Sequence, residues 1–342
     1  MAVRPALETL AVPVIAAPMA GGASTPELAA AVNRAGGLGF LAAGYRSAAA
    51  MVEQIALLRK STERPYGVNL FVPAPPGDGE AVAAYRERLR PEAERWGVEL
   101  PAEIGPDRDD WDAKLAALLA DPVPVVSYTF GLPTAEEAAA FRAAGTLQVG
   151  TVTTPEEARA AEAAGMDALC VQGPEAGGHR ATHRAADLPG ELPLLRLLPA
   201  VRAVTALPLI AAGGLGDGAA IAAALRAGAV AVQLGTALLR SDESGASAAH
   251  RAALTELPET TVTRAFTGRP ARGLRNAFID RHGPYAPPAY PEVHHLTAPL
   301  RAAAARRGDT TAMHLWAGTA HHLARSGPAE QIVADLWSSA RG

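Results

Sequence analysis

The sequence predicts an α/β chain folded as a (β/α)8 TIM barrel, with a loop and helix insertion after strand three and a small C-terminal helical cap. Three observations predict it. Eight short apolar runs recur along the chain, at 14–17, 39–42, 66–71, 123–128, 147–152, 168–172, 209–212 and 230–234. They are continuously apolar rather than alternating, as strands covered on both faces must be. Between them lie glycine-containing loops and alanine-rich helical segments. That alternation implies a parallel sheet, and eight units favour closure over an open sheet.

The helical segments fall, in order, at 25–35, 47–59, 134–144, 155–164, 192–204 and 219–227. Thr25 and Thr154 suit N-caps, because a hydroxyl accepts from the free N–H groups of a first turn. Pro26 and Pro155 follow at the first helical position, where no N–H is missed. Glu157, three residues after Thr154, completes a capping box. Gly36, Gly145, Gly165 and Gly228 stand where helices should stop. Two regions leave the repeat. Residues 73–119 begin with a Pro/Gly-rich turn and continue as a polar amphipathic helix bearing Trp96 and Trp111, expected as a lid or second layer. From 259 onward, Thr/Arg/Gly-rich loops lead to helices expected near 299–306 and 312–325. The division expected is a barrel over 1–258, insertion included, and an extension over 259–342 packing over the barrel mouth.

Hydrophobic residues make up 49% of the 342, enough for a large core, while charged residues are 19% and the net charge is −4. No basic excess exists to neutralise phosphates, so nucleic acid is not an expected partner. No uncharged stretch reaches the roughly 18 apolar residues of a spanning helix, so no membrane association is expected. Arg4 ahead of the apolar run 10–20 loosely resembles a secretory signal. Glu8, Pro13 and Pro18 interrupt it, and a buried first strand is the better reading. Cys170 is the one cysteine. It excludes an intramolecular disulfide and fits a reducing, cytoplasmic compartment.

Functional groups in such a barrel gather at the C-terminal strand ends. The seventh run leads into Gly213 and Gly214, the eighth into Gln233-Leu234-Gly235-Thr236. These are the two places where barrels most often bind phosphate, and glycines let N–H groups approach an anion closely. The sixth run ends at Gln172 and continues through Gly177 and Gly178 to His179. An amide at a strand tip suits the edge of a flavin ring, and paired glycines thin the backbone beside a planar ligand. His179, expected in an exposed loop with a pKa near 6.5, suits a general base or hydrogen-bond donor. Ala17, Pro18 and Met19 follow the first run and either meet the same ring or form a plain turn. Asn69, polar within a buried run, needs a partner, either a ligand or neighbouring backbone. His179, His183 and Glu175 suggest a metal site only weakly, since glycines break the helix such spacing needs. The pairs His294-His295 and His321-His322 read as solvated surface, and Cys170 as a small buried hydrophobe. A classical dinucleotide fingerprint is missing from the sequence, so redox chemistry would need another bound cofactor.

Six segments carry a family resemblance: APMAGGAST (17–25), GVNLF (67–71), VQGPEAGGHR (171–180), PLIAAGGLGDG (208–218), QLGTALL (233–239) and FTGRPARGLRN (266–276). In these the chain resembles the nitronate monooxygenases. The resemblance implies an FMN-binding barrel that oxidises alkyl nitronates, such as propionate 3-nitronate, with O2 to a carbonyl compound and nitrite. It implies FMN contacts at Asn69, Gln172, Gly177, Gly214 and 233–236, and His179 as the active-site histidine. Thr129 stands where some members have a second histidine, and Thr319 where a glutamine is usual, so the substrate pocket is expected to differ. Two other readings stay open on the same barrel: an FMN-dependent NAD(P)H enoyl-thioester reductase and a non-catalytic flavin-binding protein. The expected partners are a small-molecule nitronate and O2, with a homodimer open as the assembly.

Overall fold

The computed structural model describes Leu7 and residues 10–342. Arg4 and Glu8, on which the secretory reading turns, lie outside the described residues. The first half runs β1 (Val14–Ala16), α1 (Pro26–Arg34), β2 (Gly39–Ala42), α2 (Ala48–Ser61), β3 (Tyr66–Phe71), α3 (Gly79–Trp96), α4 (Trp111–Ala120), β4 (Val125–Thr129), α5 (Ala135–Ala143), β5 (Leu147–Val152) and α6 (Pro155–Ala163). The second runs β6 (Ala168–Gln172), β7 (Gly178–His179), α7 (Leu194–Arg202), β8 (Leu209–Ala212), α8 (Gly218–Arg226), β9 (Ala231–Leu234), α9 (Ala248–Glu256), β10 (Thr260–Thr263), β11 (Ala271–Leu274), α10 (Ala277–His282), α11 (Glu292–Arg307) and α12 (Ala329–Arg341).

Eight parallel strands form one sheet in the order β1-β9-β8-β6-β5-β4-β3-β2. They are the eight predicted runs, most with the predicted bounds. The ring closes between β1 and the residue before β2: Ala16 N–H donates to the Leu38 carbonyl at 2.9 Å, and Leu38 N–H to that of Val14 at 3.0 Å. Two-residue periodicity sends Ile15, Phe40, Val125, Val149 and Ile210 into one inner core. It turns Val14, Ala16, Val126, Leu169 and Ala211 into another, packed with the helices. Gly67 makes room for the Phe40 ring, which would lie 2.3 Å from a Cβ there.

The helix signals hold with one change. Thr25, Thr134 and Thr154 each accept an N–H at a helix start. The complete capping box forms at Thr134–Glu137, not at Thr154–Glu157. Glu157 is drawn to other donors: Thr153 N–H at 2.6 Å, the Thr153 hydroxyl at 2.7 Å and His183 N–H at 2.9 Å.

The insertion becomes α3 and α4. Tyr85, Leu89 and Trp96 of α3 join Phe266, Phe278, Leu296 and Leu300 in a second hydrophobic core, so the insertion builds a layer with the C-terminal region. Glu92 ties the two together through Arg281 at 2.6 Å. The helix expected at 299–306 starts earlier, with Pro299 inside α11 rather than at its first turn. The stretch 312–325 holds turns and a short 3-10 segment, not a helix. Nor does the extension from 259 stay a cap. Helix α12 returns to the barrel flank against α1 and α8. Its Ala329, Ile332, Val333 and Leu336 share the barrel's outer core, because an amphipathic stripe needs an apolar face and that flank offers one.

Candidate active site

The C-terminal strand ends open into a cavity of about 410 Å3, lined among others by Ala17, Pro18, Met19, Gln172, Gly177, Gly178, His179, Gly213, Gly214, Gln233, Leu234, Gly235 and Thr236. The sequence-predicted residues thus come together, with one exception. Asn69 is buried behind the wall, and its amide N–H donors go to the Ser127 hydroxyl at 2.9 Å and that of Thr129 at 3.0 Å. Ser127 and Thr129 line the cavity in its place.

The glycine loops are built for close approach. Gly213 and Gly214 sit at positive φ, 113° and 70°, and a Cβ on Gly213 would lie 2.9 Å from Ala176 N. The main-chain N–H groups of Gly213, Gly214, Gly235 and Thr236 donate to no protein acceptor among the described residues. Unpaired donors around one cavity suit an anion or ordered water. Thr236 Oγ1 accepts from Gly318 N–H at 3.0 Å, tying the β9 end to the 316–320 segment.

His179 is not in an exposed loop. It forms β7 with Gly178, pairing antiparallel with Ala271 and Arg272 of β11. Gln172 holds it from below: its side-chain N–H donates to the His179 carbonyl at 3.0 Å, and its carbonyl accepts from Ala181 N–H at 2.9 Å. Phe130, Tyr290 and Trp316 surround the imidazole at centroid distances of 5.3, 6.0 and 5.6 Å. Burial first, then repulsion from Arg269 and Arg301, pushes its pKa down to about 3, not the 6.5 expected of an exposed ring. Nε2 lies 2.9 Å from Thr267 Oγ1, and that hydroxyl donates to the Arg269 carbonyl at 3.4 Å. With the hydroxyl turned to that carbonyl, the Thr267 oxygen accepts from Nε2–H and Nδ1 keeps the lone pair.

Several cavity residues escape the sequence reading. Thr267 lies within the matched segment 266–276, where its motif neighbours were a signal. His294 is not solvated: it lines the cavity and stacks on Tyr45 at 4.0 Å, while its neighbour His295 sits at the surface against Asp107 at 2.8 Å. His321 is also buried, 2.9 Å from the Leu254 carbonyl. His250, His314 and Arg301 complete the wall. No group of three metal-ligating side chains gathers among the described residues, and His183 donates to the Thr151 carbonyl at 3.1 Å. Burial lifts the Cys170 thiol to about 12, so it stays protonated.

The chain and its fold match known proteins. The family model for nitronate monooxygenase matches residues 4–339. A probable nitronate monooxygenase of Staphylococcus aureus (strain Newman) is 36% identical over 332 residues, covering 95% of this chain and 93% of the relative. One from Staphylococcus saprophyticus is 37% identical over 334 residues, with the same coverage. Among solved structures, nitroalkane oxidase from Streptomyces ansochromogenes superposes with a TM-score of 0.94 at 53% identity, covering 98% of this chain and 97% of that one. FabK from Thermotoga maritima superposes at 0.74 with 27% identity, covering 98% and 95%. An oxidoreductase barrel with an imidazole in the wall of a glycine-lined cavity accords with these matches, and the chain belongs to the nitronate monooxygenase family.

Proposed function

We propose that this enzyme binds FMN and uses O2 to oxidise alkyl nitronates, propionate 3-nitronate among them, to a carbonyl compound and nitrite. The observation that carries the reading is His179: an imidazole kept neutral, aimed by Gln172 and Thr267, in the wall of a cavity whose glycine loops leave N–H donors free.

The residues fit FMN. The free N–H groups of Gly213, Gly214, Gly235 and Thr236 would hold its phosphate, and Ala17, Pro18, Met19, Gly177, Gly178, Gln233 and Leu234 its ring and tail. When bound, FMN supplies the electron acceptor that carbon–nitrogen oxidation needs. The chain supplies position and proton control. The Nδ1 lone pair of His179 takes the α-proton where a neutral nitroalkane is the substrate, while a nitronate, already deprotonated, needs no base. Similarity to a nitroalkane oxidase favours acceptance of both forms. The aromatic walls of Phe130, Tyr290 and Trp316 keep water from the imidazole. A protonated Cys170 in the cavity wall leaves the redox chemistry to the cofactor.

The test is an absorption spectrum of the purified protein, then anaerobic mixing with propionate 3-nitronate, ethyl nitronate or NAD(P)H, then oxygen uptake. Bleaching by nitronate with nitrite release is expected. Fast bleaching by NAD(P)H alone would make the enzyme a reductase, and a colourless protein that takes up no FMN would end the reading.

A further inference from the structure

Among the described residues the cavity holds one formal charge. Their side chains in its lining include no Asp, Glu or Lys, and a single arginine, Arg301 of α11. Arg301 is 8% exposed and has no carboxylate partner among the described residues. Its Nε donates to Thr297 Oγ1 at 3.0 Å and its Nη2 to the His294 carbonyl at 2.7 Å, both on its own helix and both neutral. Nη1 has no protein partner among the described residues. A buried cation without a counter-ion carries a desolvation cost that something has to compensate.

Nothing else in the wall does so. Tyr45 stacks on His294, and burial lifts its phenol to about 12, so it carries no charge. Tyr290 is raised likewise. Burial and the arginine hold His294, His314 and His179 neutral, and burial lowers His250. Asp109, which accepts from Tyr45 N–H at 2.8 Å, is already in contact with Lys114 at 2.7 Å.

We infer that Arg301 is the anion anchor of this cavity and grips a planar two-oxygen group of the substrate, a carboxylate substituent or the nitronate itself. A guanidinium fork matches such groups bidentately, which an ammonium cannot do. The inference rests on the nitronate reading for the identity of the substrate, and on the wall's charge for the anion. It also gives the helix a reason to carry arginine among Leu296, Leu300, Ala303 and Ala304, all buried.

The experiment uses the flavin-loaded enzyme with Arg301→Met and Arg301→Lys. Nitrate and acetate, with acetamide as neutral control, are titrated against the flavin spectrum without turnover. Arg301→Met is expected to weaken both anions roughly 10²-fold and acetamide hardly at all, with Arg301→Lys between. KM is then measured for propionate 3-nitronate and ethyl nitronate. A rise for the first alone assigns the carboxylate to Arg301, and equal rises assign the nitronate. If no nitronate is turned over yet nitrate binding depends on Arg301, the proposed reaction fails and the anchor stands. Anion binding unchanged in both variants overturns it. So does a loss of flavin with anion affinity per bound flavin intact, which would place Arg301 in cofactor binding.

Discussion

Thr267 decides which nitrogen of His179 is free, and so what the residue can do. With Nε2–H given to Thr267, the opposite nitrogen is the base. His179→Asn is expected to cut turnover of a neutral nitroalkane by about 10²-fold or more while flavin content stays at the parent ratio, measured by oxygen uptake and absorbance. Parent-like rates in that variant would remove the imidazole from the chemistry. The pH dependence follows from the lowered pKa. The neutral base is the form present at every pH above about 3, so no His179 inflection near 6.5 is expected in kcat/KM. An inflection there that vanishes in His179→Asn would show a solvated ring instead. The stability sign is the opposite of a paired histidine's. Between about 3 and 6.5 the unfolded chain binds the proton and the native one does not, so this group lowers stability as pH falls through that window. The identity of His179 was legible because glycines and a strand end precede it. Its partner was not, since Thr267 meets it across a sequence separation of 88.

At the scale of elements, the loops and the insertion carry separate loads. Gly214→Asp is expected to lower bound FMN to a small fraction of the parent, read as flavin per protein, since a carboxylate would enter the free N–H cradle. Far-UV circular dichroism distinguishes this from unfolding, because the positive φ and the 2.9 Å approach to Glu175 Cβ also strain that site. Lys114 of α4 is buried against Asp109 at 2.7 Å, though angled away from a hydrogen bond. Asp109 in turn holds the main chain of Tyr45, and both sit at positive φ, a strained backbone at the cavity rim. Lys114→Met would strand that carboxylate, and a loss of about 3 kcal/mol in urea unfolding is expected. Element types were legible where periodicity and caps agreed, as at α1 and α6. They were not where a proline misled: Pro299 suggested a helix start, yet α11 begins seven residues earlier, at Glu292.

For the whole molecule, the barrel was readable because strands buried on both faces leave continuous apolar runs, and nothing else in the chain imitates them. The second core was not. Its members Tyr85, Phe266, Phe278 and Leu296 come from distant segments, each too short or too polar to announce a partner. Helix α12 escaped for a different reason: its stripe is plain, but no local signal says which surface it covers. Removing residues 329–342 is expected to expose the outer core between α1 and α8, raise dye binding to apolar surface and lower solubility. A truncated chain as soluble and as silent to the dye as the parent would deny α12 that place.

The seam between β1 and Leu38 closes near the start of the chain, while the helix that covers α1 and α8 reaches Arg341. A chain leaving the ribosome therefore exposes the apolar outer faces of those two helices until residue 341 has emerged, so slow translation of the last third would lengthen the interval in which chaperones must shield it.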